Sequence, residues 1–140
     1  MKRIFFADDD EDDFELFKTA ITNVIGEADI EVARNGIELL KLLKGKIPPP
    51  PDFIFLDLNM PLKTGHECLK EIRTHSFYKD LRVIILTTSR AGKDIDSTYQ
   101  DGADYYICKP TSLTGYEEVL KKLFSFKFRN RPSKEQFVIN

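Results

Sequence analysis

The sequence predicts an α/β protein built on a doubly wound parallel sheet, with five strands each followed by a helix. Three observations carry this. Short, nearly continuous apolar runs recur along the chain, as strands buried on both faces require. Stretches with apolar residues at helical spacing lie between them. The strand–helix pair repeats five times within 140 residues, a length that suits one domain able to bury its own core.

The first strand reads as Arg3 to Ala7, "RIFFA". Six acids follow, Asp8 to Asp13, and then Phe14, Phe17, Ile21, Val24 and Ile25 recur at helical spacing until Gly26 stops them. Acids in a first turn suit the positive end of the helix dipole. Asp29 to Ala33 is the second strand, and a helix from Gly36 to Lys44 carries Ile37, Leu40 and Leu43. Pro48 to Pro51 form a stiff extended connector into the third strand, Phe53 to Leu56. The third helix spans Thr64 to His75 with Cys68, Leu69 and Ile72 inward, and Gly65 eases the turn into it. Arg82 to Thr87 is the fourth strand, followed by a weakly amphipathic helix from Lys93 to Gln100. Asp104 to Cys108 is the fifth strand, and Ser112 to Phe124 the fifth helix, capped by Ser112 or Thr114. For such a chain the expected architecture is flavodoxin-like, with strand order 2-1-3-4-5 and a ligand crevice at the carboxyl ends of the strands.

Composition narrows the function. No apolar run approaches membrane-spanning length, and the first residues are too few for a signal-peptide core. Cys68 and Cys108 lack metal or disulfide spacing and read as reduced thiols of a cytoplasmic protein. His66 and His75 have no partners at ligand spacing and read as surface or satisfied histidines. The net charge of −2 conceals the acidic run: without those six negative charges the rest of the chain would carry +4. A block lying between a strand and a helix is no solvated tail, so something must neutralise it.

The polar residues at the strand ends explain what does. Asp8 and Asp9 end the first strand, Asp57 the third, Thr87 the fourth and Lys109 the fifth. A parallel sheet gathers these ends on one edge. Carboxylates brought that close repel one another and call for a proton or a cation. Mg²⁺ favours oxygen ligands and takes one or two carboxylates from a protein, which suits Asp9 and Asp57, with Asp8 reaching it through water. Lys109 adds a charge suited to a phosphoryl group. Asp57, the sole acid on the central strand, is placed to act as a nucleophile toward phosphorus. Singly, Thr87 could merely end a strand and Tyr106 could be core. Asp10 to Asp13 read as solvated helix-start acids.

With "ADDD" after the first strand, "DLNMP" after the third, "TTS" after the fourth and "KP" after the fifth, the chain resembles the receiver domain of two-component response regulators from Lys2 to Phe124. The resemblance implies that Asp57 accepts a phosphoryl group from a sensor histidine kinase, and that Asp8 and Asp9, with Asp57 and the backbone carbonyl of Asn59, hold Mg²⁺. It implies that Lys109 contacts a phosphoryl oxygen, that Thr87 and Tyr106 form the switch, and that Asn59 and Ser89 tune the phosphoryl lifetime. It further suggests receivers paired with phytochrome-type kinases.

The expected organisation is a receiver over residues 1–124 and a tail over 125–140. The 16 residues past Phe124 are too few for a DNA-binding output domain. Six basic residues against one acid in the last twenty read as a solvated helix end. Phe124, Phe126 and Phe128 either pack on this domain or dock on a partner; a homodimer or kinase contact near the fourth and fifth helices is the expectation. Other readings fit less well. A haloacid-dehalogenase-like phosphatase would want an acid where Asn59 stands. A flavin phosphate would be repelled by Asp8–Asp13, and an intact pocket argues against a degenerate receiver that binds partners without phosphorylation.

Overall fold

A computed structural model describes residues 1–45 and 49–140. Its elements alternate as β1 (Lys2–Ala7), α1 (Glu11–Ile25), β2 (Ala28–Ala33), α2 (Gly36–Gly45), β3 (Phe53–Leu56), α3 (Gly65–Thr74), β4 (Val83–Thr87), α4 (Gly92–Gln100), β5 (Tyr105–Cys108) and α5 (Leu113–Ser125). A short helix α6 (Lys134–Phe137) and a two-residue strand β6 (Val138–Ile139) follow. The sheet is parallel throughout and ordered β2-β1-β3-β4-β5-β6. This is the expected order extended by a sixth strand at the β5 edge. Pro48 of the proline connector lies outside the described residues.

Period-2 alternation assigns each strand residue to one of two layers. Ile4, Phe6, Phe55, Ile84, Leu86 and Ile107 face α1 and α5, where Phe17, Ile21, Tyr116, Leu120 and Leu123 meet them. Phe5, Ala7, Ile54, Leu56, Val83, Ile85 and Tyr106 face the other side, under Leu39, Leu43, Cys68, Leu69 and Ile72. Both faces are covered, which is why the strands read as unbroken apolar runs rather than alternating ones.

Side chains settle the helix starts. Asp10 caps α1 by accepting from the Asp12 and Asp13 amides, Thr64 and Glu67 form a capping box on α3, and Ser112 rather than Thr114 caps α5. The weak helix α4 buries only Thr98 fully and leans on the partly buried Ile95 and Tyr99.

The phenylalanines after α5 pack on their own domain. Phe124 and Phe128 meet the Phe53 ring edge-on at 5.3 and 5.4 Å, and Phe126 stacks on Tyr105 at 4.8 Å. The Arg82 guanidinium lies 4.8 Å from the Phe128 ring centre. Phe124 and Phe128 thus pack against the core and Phe126 stays partly exposed, while the six basic side chains of the last twenty residues are exposed, as expected of a solvated end.

Candidate functional site

Ladder hydrogen bonds carry the chain past the last residue of each strand and so fix the pocket residues. The Asp8 amide donates to the Ala33 carbonyl (2.9 Å), the Asp57 amide to the Ala7 carbonyl (2.9 Å) and the Lys109 amide to the Thr87 carbonyl (2.8 Å). Asp8, Asp57 and Lys109 thus stand one step beyond β1, β3 and β5 on the carboxyl edge. Behind Asp57 the start of α3 presses directly on the main chain: the Gly65 amide donates to the Leu58 carbonyl (3.0 Å), and a Cβ at Gly65 would lie 2.2 Å from the Asp57 carbonyl oxygen. After Pro61, Leu62 takes a left-handed φ of 68° and leads the chain out of the pocket.

Carboxylate oxygens of Asp8, Asp9 and Asp57 lie within 4.8 Å of one another. Asp8 and Asp57 are buried and Asp9 is exposed. The Lys109 ammonium sits among them, 2.8 Å from Asp8 Oδ2, 3.1 Å from Asp57 Oδ2 and 2.8 Å from Asp13 Oδ2. The cluster holds four carboxylates, Asp8, Asp9, Asp13 and Asp57, and its one ammonium touches three of them, so it is short of positive charge. The strain shows in Asp8: burial pushes its pKa up to about 6, because Lys109 and the Asp10 amide offset the lost hydration only in part. Burial alone would discharge Lys109, but hydrogen bonds to Asp13 and Asp8 and the field of Asp57 reverse this and raise its pKa. An all-oxygen, excess-negative donor set with one member open to solvent fits a hard divalent cation such as Mg²⁺.

On the far side of the pocket Thr87 is fully buried, and its hydroxyl has no hydrogen-bond partner. Tyr106 is also fully buried, and its hydroxyl donates to the Ser89 carbonyl (2.9 Å). Ser89 Oγ in turn donates to Asp94 Oδ2 (2.5 Å), and Asp94 Oδ1 lies 3.1 Å from His66 Nε2. Asn59 is exposed at the mouth, its amide 3.4 Å from Asp57 Oδ1. The expected residues Asp8, Asp9, Asp57 and Lys109 are gathered. Thr87, Tyr106 and Ser89 line the adjoining β4–β5 side.

Two residues were not anticipated. Asp13, read as a solvated acid, is a direct partner of Lys109. It precedes Phe17 and Ile21 at four-residue steps on the stripe that buries α1, and that spacing was the available signal. Tyr116 of α5 lies fully buried with an unpartnered hydroxyl whose pKa burial raises, with the Asp13 carboxylate adding to the rise. His66 and His75 are satisfied as expected, His75 by stacking on Tyr78 at 4.1 Å.

A doubly wound sheet with carboxylates, a buried hydroxyl and a lysine converging at its switch point defines a phosphate-handling signalling module. The response regulator receiver domain family matches residues 4–121, and the chain belongs to that family. Response regulator Rcp1 of Synechocystis sp. is 27% identical over 129 residues, covering 89% of this chain and 88% of Rcp1. Chemotaxis protein CheY-3 of Vibrio cholerae is 32% identical over 117 residues, covering 81% of this chain and 87% of CheY-3. The probable C4-dicarboxylate response regulator DctR of Bacillus subtilis is 34% identical over 125 residues, and the chain spans about half (53%) of its length. Among solved structures, the phosphorylated cyanobacterial phytochrome response regulator RcpA superposes with a TM-score of 0.82 at 30% identity, covering 94% of this chain and 99% of RcpA. The Mn²⁺-bound form of Rcp1 gives 0.80 at 26% identity, covering 95% and 100%.

The chain is thus a response regulator receiver, a phosphoacceptor module of two-component signalling rather than a phosphatase of the dehalogenase kind. Among the described residues no helix is long and apolar enough to cross a membrane.

Proposed function

We propose that Asp57 is the phosphoacceptor and that a sensor histidine kinase is the donor. An Asp57 carboxylate oxygen attacks the phosphorus of a phosphohistidine; the O–P bond forms as the N–P bond breaks, and the imidazole nitrogen keeps the electron pair. Lys109 already touches Asp57 and is anchored from behind by Asp13 and Asp8, so its ammonium can turn to a phosphoryl oxygen without leaving the pocket. Asp8, Asp9, Asp57 and the Asn59 carbonyl would hold Mg²⁺, which would supply neutralising charge for the transfer. Thr87, whose hydroxyl is unpartnered, is the residue we expect to bond the phosphoryl group, and Tyr106 follows it. Asn59 and Ser89 at the mouth tune access of water and hence lifetime. The observation that carries this reading is the meeting of three carboxylates within 4.8 Å beside a lysine 3.1 Å from Asp57.

The receiver fold proper is taken as residues 1–124, with residues 125–140 as an extension that adds β6 to its sheet, and the kinase is taken to be of the phytochrome type by likeness to the phytochrome response regulator RcpA. The proposed kinase donor and the two free thiols support a cytoplasmic location. The test is reduction of the phosphorylated chain with borohydride, which converts an acyl phosphate into an alcohol, followed by peptide mapping. Homoserine at position 57 alone is expected; modification elsewhere overturns the assignment. A homodimer through the α4–α5 face would use what the tail leaves open there, such as the partly exposed Phe126. An unchanged mass by light scattering on removal of 125–140 removes that idea.

A further inference from the structure

The α4–β5–α5 side of the domain is already covered by the chain's own last residues. β6 pairs in parallel with β5, setting Val138 beside Tyr106 and Ile139 beside Ile107. Phe137 is fully buried, with its ring 6.0 Å from Tyr106 and 5.0 Å from Tyr99. Polar contacts fasten the approach. The Tyr99 hydroxyl donates to the Pro132 carbonyl (3.0 Å), the Arg131 guanidinium lies 3.9 Å over the Tyr99 ring, and Lys134 pairs with Asp96 at 2.7 Å.

Tyr106 projects from β5 into the layer that also holds Phe137. On one side stands β4, ending in Thr87; on the other stand β6 and α6. Phe137 fills space on the β6 side of the Tyr106 ring, into which a ring leaving its inward position could otherwise swing. The inward position is itself bonded, through the hydroxyl to the Ser89 carbonyl.

We infer that Phe137, carried by the C-terminal segment, is a positioning residue for phosphotransfer: it holds Tyr106 inward, the arrangement compatible with a Thr87 drawn toward the phosphoryl group. The inference rests on Asp57 being the phosphoacceptor. Reciprocity applies to the equilibrium: coupling between two sites is one free energy read from either end, so the docked tail and the phosphorylated state favour one another. Tail and pocket communicate through one bistable side chain.

The test uses the full chain with acetyl phosphate and saturating Mg²⁺. Phe137→Ala should slow phosphorylation by about 5-fold, at the lower end of common coupling factors, and Phe137→Leu should restore most of the rate. In a Tyr106→Ala background, Phe137→Ala should add nothing. An unchanged rate in folded Phe137→Ala, or equal slowing in both backgrounds, overturns the inference. Should Phe137→Ala fail to fold, Tyr99→Phe, which removes only the hydroxyl holding Pro132, should slow the reaction in the same direction, and an unchanged rate counts against the proposal. Hydrogen exchange on the unaltered chain reads the other end: the Val138 and Ile139 amides should exchange more slowly once Asp57 is phosphorylated. No phosphoryl adduct would defeat the Asp57 assignment; an adduct with unchanged exchange would defeat the role of Phe137 alone.

Discussion

Asp13 and Lys109 lie 96 residues apart in the chain and 2.8 Å apart in the pocket. Lys109 thereby serves three carboxylates at once, and it is nearly buried while doing so. Removing one partner from a buried ion pair leaves the other charged and unhydrated, at a cost of about 3–5 kcal/mol. Lys109→Met should accordingly destabilise the metal-free protein by about 3 kcal/mol near neutral pH. Asp13→Asn, which keeps an acceptor oxygen near the ammonium, should cost about 1 kcal/mol. Urea unfolding measures both; equal losses would contradict Lys109 as the hub.

The raised pKa of Asp8 makes a signed prediction about pH. Its carboxyl titrates near 6 in the fold and near 3.8 in the unfolded chain, so between those values the folded state holds the extra proton. Stability from this group is complete below about pH 4 and is lost as pH rises through about 6, by up to about 3 kcal/mol. With a chelator present, the stability difference between the unaltered chain and Asp8→Asn should change across pH 4–6 in that sense. Parallel stability curves would show that Asp8 carries no such shift.

Magnesium should stabilise the fold as the proton does, by relieving the same crowding of negative charge. An ion bound only by the folded state stabilises it by about 2.7 kcal/mol at a hundredfold excess over its Kd. The melting temperature should rise on adding Mg²⁺, and the rise should shrink in Asp9→Asn. An equal response in the variant would take Asp9 out of the site.

Gly65 and Gly92 both open helices, but they should respond oppositely to alanine. A Cβ at Gly65 would meet the Asp57 carbonyl oxygen at 2.2 Å, while one at Gly92 meets nothing within 4 Å. Gly65→Ala must push α3 off the Asp57 main chain, at about 1–3 kcal/mol, and should slow phosphorylation by displacing the acceptor. Gly92→Ala should stabilise by about 0.5–1 kcal/mol through the unfolded state. Thermal melts and phosphorylation rates separate the two, and a tolerant Gly65 would show that the contact behind Asp57 is not required.

The strand ends were legible because a parallel sheet converts a one-dimensional pattern, an apolar run followed by a polar residue, into a shared edge. Asp8, Asp57, Thr87 and Lys109 needed nothing more than topology. Asp13 was not, because six adjacent acids look alike until the angular position of α1 is known, and Phe17 and Ile21 set that by docking on the sheet. The tail escaped for a different reason. A four-residue helix and a two-residue strand are too short to show a period, and they are held by Tyr99, Tyr106 and Ile107, residues remote in sequence. The alternation in "FSFKF" was visible, but its direction depended on Phe53 lying beneath it.

The central claim is that Asp57 takes the phosphoryl group, and intact-protein mass tests it most directly. The unaltered chain and Asp57→Ala are incubated side by side with acetyl phosphate and Mg²⁺. One added phosphoryl group on the unaltered chain and none on the variant is the predicted result. An adduct on both chains, or on neither even when a phosphorylated sensor kinase replaces acetyl phosphate, would contradict it.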